Sequence, residues 1–353
     1  MTDPRPLVSV VIPCRNEERT IGLVLDALYR QTYPRERMEI IVADGYSADD
    51  TRGRVRAYAG GHPNLPLRLI DNPGLTAPAA LNAGVRESKG EIIMRMDAHA
   101  LPDPDYVEQS VRALAENRCE GAGGMWEIQP GGPGIVARAI AAAAGSPLAT
   151  GGVRYRSEGK PGEVDTVPFG AFPRSVFDRV GFFNEQVPVN EDYEFFYRIR
   201  AAGGKIFFSP AIRSQYIARA DIRSLAGQYF LYGRQKAVML SFHPRSLRMR
   251  QVIPAVFVLS LVVLAIGSAI FPPAAILLCV EAALYAAVIA GFSIREAVKR
   301  KNAALAAVLP WVFACIHFSW GTGFWAGMIS NSGRFFRSLT GGNGRLGKAR
   351  PVR

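Results

Sequence analysis

Cysteine is scarce in this chain. Cys14, Cys119, Cys279 and Cys315 are four among 353 residues, scattered and without metal-type spacing. That pattern argues against a disulfide scaffold or a zinc site and suits a reducing compartment. Residues 1–6 lack the apolar core of a signal peptide, so the start of the chain is expected in the cytoplasm. Acidic residues almost vanish beyond residue 244. Only Glu281 and Glu296 of the 30 Asp and Glu lie there, against 13 of the 42 Lys and Arg. The first 243 residues are near balance, with 29 basic and 28 acidic groups, so the net charge of +12 belongs to the C-terminal third. A nucleic-acid-binding fold would carry its basicity through the globular part, so nucleic acid is not an expected partner.

Charge is missing altogether from two long stretches, residues 252–271 and 303–329, and residues 274–292 hold only Glu281. Each is long enough to span a membrane. They are flanked by Arg245, Arg248 and Arg250, by Lys299, Arg300 and Lys301, and by Arg334 and Arg337. The excess of cations places the first two flanks on the cytoplasmic side, with Pro272-Pro273 as the outer turn of a hairpin. Segment 303–329, which contains Pro310, Gly321, Gly323 and Gly327, reads as one tilted span or as a broken, re-entrant one. The six cations after Ile329 favour re-entry and a cytoplasmic Arg353. Glu281 is expected to face another helix, because a carboxylate in hydrocarbon costs ~2.5 kcal/mol or more.

What is present in the first half is an alternation of strand and helix patterns. Strands are predicted at residues 7–12, 38–43, 67–70 and 91–96, and helices at 17–30, 49–59, 77–87 and 105–116. This repeat implies an α/β fold with a Rossmann-like, mostly parallel sheet. Ligands then bind at the carboxyl ends of the strands. A fifth strand is predicted at 121–128, a glycine-containing loop at 151–164 and short helices at 174–180 and 190–202. Asn190 is predicted to cap the last of these. An amphipathic helix at 222–240 follows. The domain division expected is 1–221 catalytic, 222–250 interfacial, 251–330 membrane-spanning and 331–353 a basic tail.

Two polar groups stand at those strand ends, and a third opens a later helix. Asp97 and His99 are two apart and in extended geometry point the same way, as a carboxylate and an imidazole could to hold a divalent cation. A solvated strand end is the plainer reading. Asp44 could accept a hydrogen bond from a base or ribose, with Ser47 or Asp49 capping the next helix. Glu191 and Asp192 open a helix, either as simple dipole compensation or as a general base.

Taken together, these segments resemble the family 2 glycosyltransferases, which have the GT-A fold. The resemblance covers roughly residues 7–236 and rests on VSVVIPCRNEERTI (8–21), IIVADGYSADDT (40–51), NPGLTAPAALNAGV (72–85), MDAHA (96–100), VPFGAFPRSVFDRVGFFNE (167–185) and NEDYEFFYRI (190–199). It implies nucleotide-sugar contacts at Pro13, Arg15, Asn16, Glu17, Asp44, Asn82 and Asp97, and a Mg2+ or Mn2+ ion at Asp97 and His99. It further implies acceptor support from Gly170, Phe172 and Glu191, with Asp192 as the catalytic base. The chain departs from the pattern at Gly45, where a second acid is usual, and at His99, which replaces the second Asp of the D-x-D motif. QYFLYGRQK (228–236) lacks the tryptophan of the Q-x-x-R-W block, which weakens any expectation of processive polymerisation.

The D-A-H triplet and the C-terminal membrane segments are similar to the succinoglycan-type exopolysaccharide transferases. That implies an inverting enzyme that moves a sugar from a nucleotide diphosphate, uridine by family resemblance, to a polyprenyl-diphosphate-linked saccharide. The enzyme would be multi-pass in a bacterial-type inner membrane, with its catalytic domain cytoplasmic. A polyprenyl-phosphate sugar synthase and a non-catalytic membrane scaffold are the alternatives.

Overall fold

The structure, a computed structural model, describes residues 5–157 and 159–332. The basic tail, with Arg353, and the proposed flank Arg334 and Arg337 lie outside the described residues. The described chain forms two compact units, one of residues 5–127 and 159–216, the other of residues 128–157 and 217–332. The division expected at residue 221 therefore differs for residues 128–157, which cluster with the C-terminal helices rather than with the sheet.

The first unit contains β1 (Val8–Cys14), α1 (Ile21–Tyr29), β2 (Met38–Asp44), α2 (Thr51–Gly61), β3 (Leu67–Asp71), α3 (Ala77–Glu87), β4 (Ile92–Arg95), β5 (Leu101–Pro102), α4 (Tyr106–Asn117) and β6 (Gly121–Gln129). In the second unit the chain then forms α5 (Ile135–Ala144) and α6 (Pro147–Thr150). It continues in the first with β7 (Gly162–Glu163), β8 (Ala171–Pro173), α7 (Ser175–Val180), α8 (Glu191–Ala201) and β9 (Ile206–Ile217).

Sheet order is β3-β2-β1-β4-β8-β6-β9-β5, with β7 also on β9. The first four strands are parallel, as the β-α alternation predicts, with Val8 opposite both Met38 and Ile92. Beyond β4 the pairing turns antiparallel, β8 lying against β4 and β6, and β5 and β7 against β9. The sheet is thus mixed. The antiparallel part escaped the periodicity argument because β8 has three residues and β9 contains Pro210, which breaks its alternation.

Both faces of β1 are buried, which is why it is apolar on both sides but for Ser9, whose hydroxyl bonds Glu39 at 2.6 Å. Val8, Val10 and Ile12 pack in one core with Ile21, Leu25 and Leu28 of α1. On α3, Gly84 lets the helix backbone close onto Val11, where a Cβ would collide. The helix predicted from residue 17 begins only at Ile21, because Glu17 turns back to accept the Thr20 hydroxyl at 2.6 Å.

The second unit continues with α9 (Ile222–Phe242), α10 (Met249–Gly267), α11 (Pro272–Lys299) and α12 (Ala304–Ser330). The last three are long and apolar enough to cross a membrane. Pro272 and Pro273 do not form the expected turn but open α11, where the missing N–H costs nothing. The turn is at 268–271. The broken, re-entrant form of segment 303–329 is also corrected: α12 is continuous over 27 residues, with Pro310 inside it. Its glycines mark close packing instead. Gly323 meets the backbone of Phe230, Gly327 that of Arg234, and Gly233 of α9 that of Trp320. Gly321 meets the backbone of Pro254 and the side chain of Val258, both of α10.

The Glu281 and His317 side chains within these helices are paired. Glu281 takes a hydrogen bond from Ser260 of α10 at 2.6 Å, so it faces a helix as expected. His317 reaches the Tyr285 hydroxyl at 3.0 Å and the Leu148 carbonyl at 2.9 Å.

Replacing Gly323 by valine should force α9 and α12 apart and cost about 1–3 kcal/mol. On the same helix pair, Gly227→Ala adds a Cβ that meets nothing. It should be neutral or raise stability by up to ~1 kcal/mol through helix propensity. Thermal unfolding of both variants in detergent checks the contrast.

Candidate active site

The loops that follow β1, β2 and β3 are laced together by their own polar groups. Asn16, at φ 57°, donates its backbone N–H to Ser47 Oγ at 2.8 Å and accepts from the Ala48 N–H at 2.8 Å. Glu17 donates to Thr51 Oγ1 at 2.8 Å. Asp49 accepts from the backbone and hydroxyl of Thr51, but it is not the helix cap foreseen: the cap position of α2 is Asp50, and no side chain caps it. Asp44 is fully buried at the end of β2. Its carboxylate accepts from Ser47 Oγ at 2.5 Å, Ser47 N at 3.0 Å and Arg52 Nη1 at 2.9 Å. Arg52 also reaches Asp71 at 2.8 Å, and the hydrogen bonds to these two acids raise its pKa.

Beside these loops lies a cleft of about 270 Å³. Pro13, Arg15 and Glu17 line one side, Leu75 and Thr76 another, and Arg95, Asp97 and His99 a third. His99 Nδ1 is 3.0 Å from Glu17 Oε1. Burial raises the Glu17 pKa, but the hydrogen bonds from His99 and Thr20 lower it further, and the net direction is down. Asp97 and His99 do not share a strand face, as extended geometry would have it. β4 stops at Arg95, and the two residues sit in a turn closed by Ala100 N to Asp97 O at 3.0 Å. They nevertheless line the same cleft. Among the described residues no group of three His, Cys, Asp or Glu side chains converges on a metal position.

The guanidinium of Arg95 joins this cleft to the start of α8. Nη2 lies 3.0 Å from Asp97 Oδ1 and 2.9 Å from Glu191 Oε1, and Nη1 lies 3.6 Å from Asp192 Oδ2. Burial works to lower the Arg95 pKa, but Asp97, Glu191 and Asp192 together raise it, so the group stays charged. Its Nε and Nη1 are buried with no hydrogen-bond partner. Glu191 is buried, and that desolvation pushes its pKa up to about 7, against the pull of Arg95. The Asp192 side chain is 34% exposed and accepts from the Tyr193 N–H at 2.7 Å. Asn190 is not the side-chain cap foreseen for it; it takes a left-handed φ of 64° and makes no capping bond. Gly170 holds the other side of Arg95 by accepting its backbone N–H at 3.1 Å. Phe172 is in the aromatic core with Phe177, Phe195 and Phe196, which fixes α8 against β8.

The structure therefore brings Pro13, Arg15, Glu17, Asp97 and His99 to one cleft and ties Glu191 and Asp192 to it through Arg95. Two sequence-derived contacts sit elsewhere. Asn82 is buried and braces the segment before α8, bonding both backbone groups of Phe183 and the Glu185 carboxylate. Direct contact with a ligand is not open to it there. Asp44 would have to exchange Arg52 or Ser47 for a nucleotide. Sequence reasoning missed Arg95 and Arg52. For Arg95 a signal existed: an arginine in the apolar run IIMRM must find carboxylates to be buried.

Comparison with known proteins agrees with this geometry. The glycosyl transferase family 2 profile matches residues 9–181. The succinoglycan biosynthesis protein ExoA of Rhizobium meliloti is 31% identical over 325 residues, 91% of this chain and 94% of that protein. A dolichyl N-acetylglucosaminyl phosphate glucuronosyltransferase of Methanococcus voltae is 26% identical over 66% of this chain and 74% of its own. In structure, a mannosyltransferase from Pyrobaculum calidifontis, solved with GDP-mannose and Mn2+, aligns over 94% of this chain and 87% of its own. Its TM-score is 0.57 and its identity 24%, a likeness of fold. The chain belongs to glycosyl transferase family 2 and is a GT-A glycosyltransferase.

Replacing Arg95 by methionine leaves three carboxylates without their shared cation and should cost about 3–5 kcal/mol. The loss should depend on pH. Arg95 lowers the Glu191 pKa, so without it the folded-state value rises above about 7. A carboxyl with a raised folded-state pKa favours the native state at low pH, and that contribution is lost as pH rises through the folded value. The gap in thermal midpoint between wild type and Arg95→Met should therefore be smaller at pH 6 than at pH 8.

Proposed function

We propose that this glycosyltransferase moves a sugar, with inversion, from a nucleotide diphosphate to a polyprenyl-diphosphate-linked saccharide in exopolysaccharide synthesis. The observation that carries this reading is the Arg95 network, which unites a cleft for the donor with two carboxylates at the start of α8. The match to ExoA, a succinoglycan biosynthesis protein, along nearly the whole of both chains supports a place in exopolysaccharide synthesis. A uridine nucleotide is the donor we favour, on family resemblance. The three apolar helices associate the protein with membrane, and we place it as a multi-pass protein of a bacterial inner membrane with the catalytic unit on the cytoplasmic side.

Displacement at the anomeric carbon needs a base on the acceptor side and stabilisation of the departing diphosphate. Asp192 suits the first role, since its carboxylate is partly exposed while Glu191 is buried and paired with Arg95. Glu191 then fixes the helix start and the guanidinium. Asp97 and His99 suit a divalent cation. The carboxylate of Glu17 on His99 Nδ1 is the kind of outer partner that orients a ligating imidazole. The three acids around Arg95 also outnumber its single positive charge, an excess that a cation relieves. When bound, such an ion would neutralise charge developing on the diphosphate. Arg15, exposed on the cleft, can pair with phosphate oxygens as a planar donor.

Asp192→Asn keeps the side-chain shape and should leave donor binding intact while lowering turnover by at least ~100-fold. Glu191→Gln should cost less. Near wild-type transfer by Asp192→Asn together with an inactive Glu191→Gln would reverse the two assignments. Transfer by His99→Asp should exceed that by His99→Ala, since oxygen also suits the ion. Both are measured by sugar transfer from a panel of nucleotide sugars to lipid-linked acceptors, with product linkage analysis.

A further inference from the structure

The loop between β2 and α2 carries a residue that neither its packing nor its hydrogen bonds account for. Tyr46 is 53% exposed and is held at φ 52°, in the left-handed region that a bulky residue rarely adopts. Its neighbours impose that conformation. Ser47 is fixed by its backbone N–H and hydroxyl to Asp44, and Gly45 donates its N–H to Cys14 O at 2.8 Å. Asn16 clamps the far side of the turn through Ser47 and Ala48. A strained residue persists only where its surroundings over-determine it, and such positions gather at ligand sites.

The position of the loop gives the strain a direction. β2 lies between β1 and β3 in the sheet, and the loops after β1 and β3 both line the cleft. Gly45, the residue before Tyr46, lies so near Arg15, which lines the cleft, that a Cβ added to it would come within 3.4 Å of the Arg15 side chain. On the β3 side the next loop repeats the device. Leu75, which lines the cleft, is 44% exposed and stands at φ 59°. Two apolar side chains are thus presented rigidly to solvent from adjacent loops at the carboxyl edge of the parallel strands, where ligands bind.

We propose that Tyr46 is a stacking platform for the base of the nucleotide donor, with Leu75 as its apolar neighbour. This rests on the donor reading given above. A flat, half-apolar ligand face meets a pre-positioned ring, and the loop loses little conformational freedom on binding. Stacking accepts any base, so the ring supplies affinity rather than a choice between uridine and guanosine.

The test is titration calorimetry of the full-length protein in detergent with uridine diphosphate, guanosine diphosphate and, as a probe without a base, inorganic pyrophosphate. Tyr46→Gly and Tyr46→Ala should weaken the nucleotide that binds by roughly 5- to 100-fold, with pyrophosphate affinity unchanged. Tyr46→Phe should bind the nucleotide as wild type does. The glycine variant relieves the backbone strain, so its thermal midpoint should equal or exceed that of wild type, which separates lost stacking from lost folding. Nucleotide affinity unchanged in Tyr46→Gly overturns the proposal, as does an equal loss for pyrophosphate. A wild-type protein that binds neither nucleotide overturns the donor reading, and this inference with it.

Discussion

A single buried cation organises the catalytic unit. Arg95 ends the last parallel strand, and its guanidinium has carboxylates from two separate parts of the chain around it, Asp97 from the turn that follows and Glu191 and Asp192 from α8. A charge taken out of water must be paired well or it destabilises the fold. The position of α8 against the sheet is therefore set by electrostatics as much as by the phenylalanines beneath it. β8 is held to β4 by backbone pairing instead, which the Gly170 carbonyl extends by accepting the Arg95 main-chain N–H.

This arrangement divides the acids by environment. Glu191 is desolvated and titrates near neutrality, while Asp192, one residue on, keeps access to solvent. Adjacent residues at a helix start point in different directions, about 100° apart around the axis. The result is one carboxylate facing the guanidinium and one at the rim. A reaction that needs an accessible base and a fixed neighbour can be built from such a pair without any further element.

Much of this was legible in the sequence, for physical reasons that can be named. The parallel strands announce themselves because burial on both faces makes 8–12 and 38–43 predominantly apolar runs, each broken by one polar residue, Ser9 and Glu39, which bond each other at 2.6 Å. The strand-end acids follow from that placement. β8 and β9 were invisible, one too short for a period and the other interrupted by proline. Asn82 misled because a buried amide and a ligand-binding amide look alike in sequence; only the partners Phe183 and Glu185, a hundred residues away, tell them apart. Arg95 shows the opposite case, a charge whose burial was predictable but whose partners were not. The glycines of α12 were read as breaks, yet each is a site where a neighbouring backbone comes near.

Those glycine contacts impose an order on biosynthesis. α9 closes its backbone against α12, but some sixty residues and two other apolar helices separate them in the chain. While α10 and α11 are being made, the surface of α9 that will meet Trp320 and Gly323 has no partner. Long-range contacts of this kind form only after the intervening chain has been closed into a loop. Completion of the helical unit therefore waits for the last helix to leave the ribosome. A chain released before Gly327 would carry a finished sheet domain on an unfinished membrane unit, with α9 exposed to whatever quality control reads bare apolar helices.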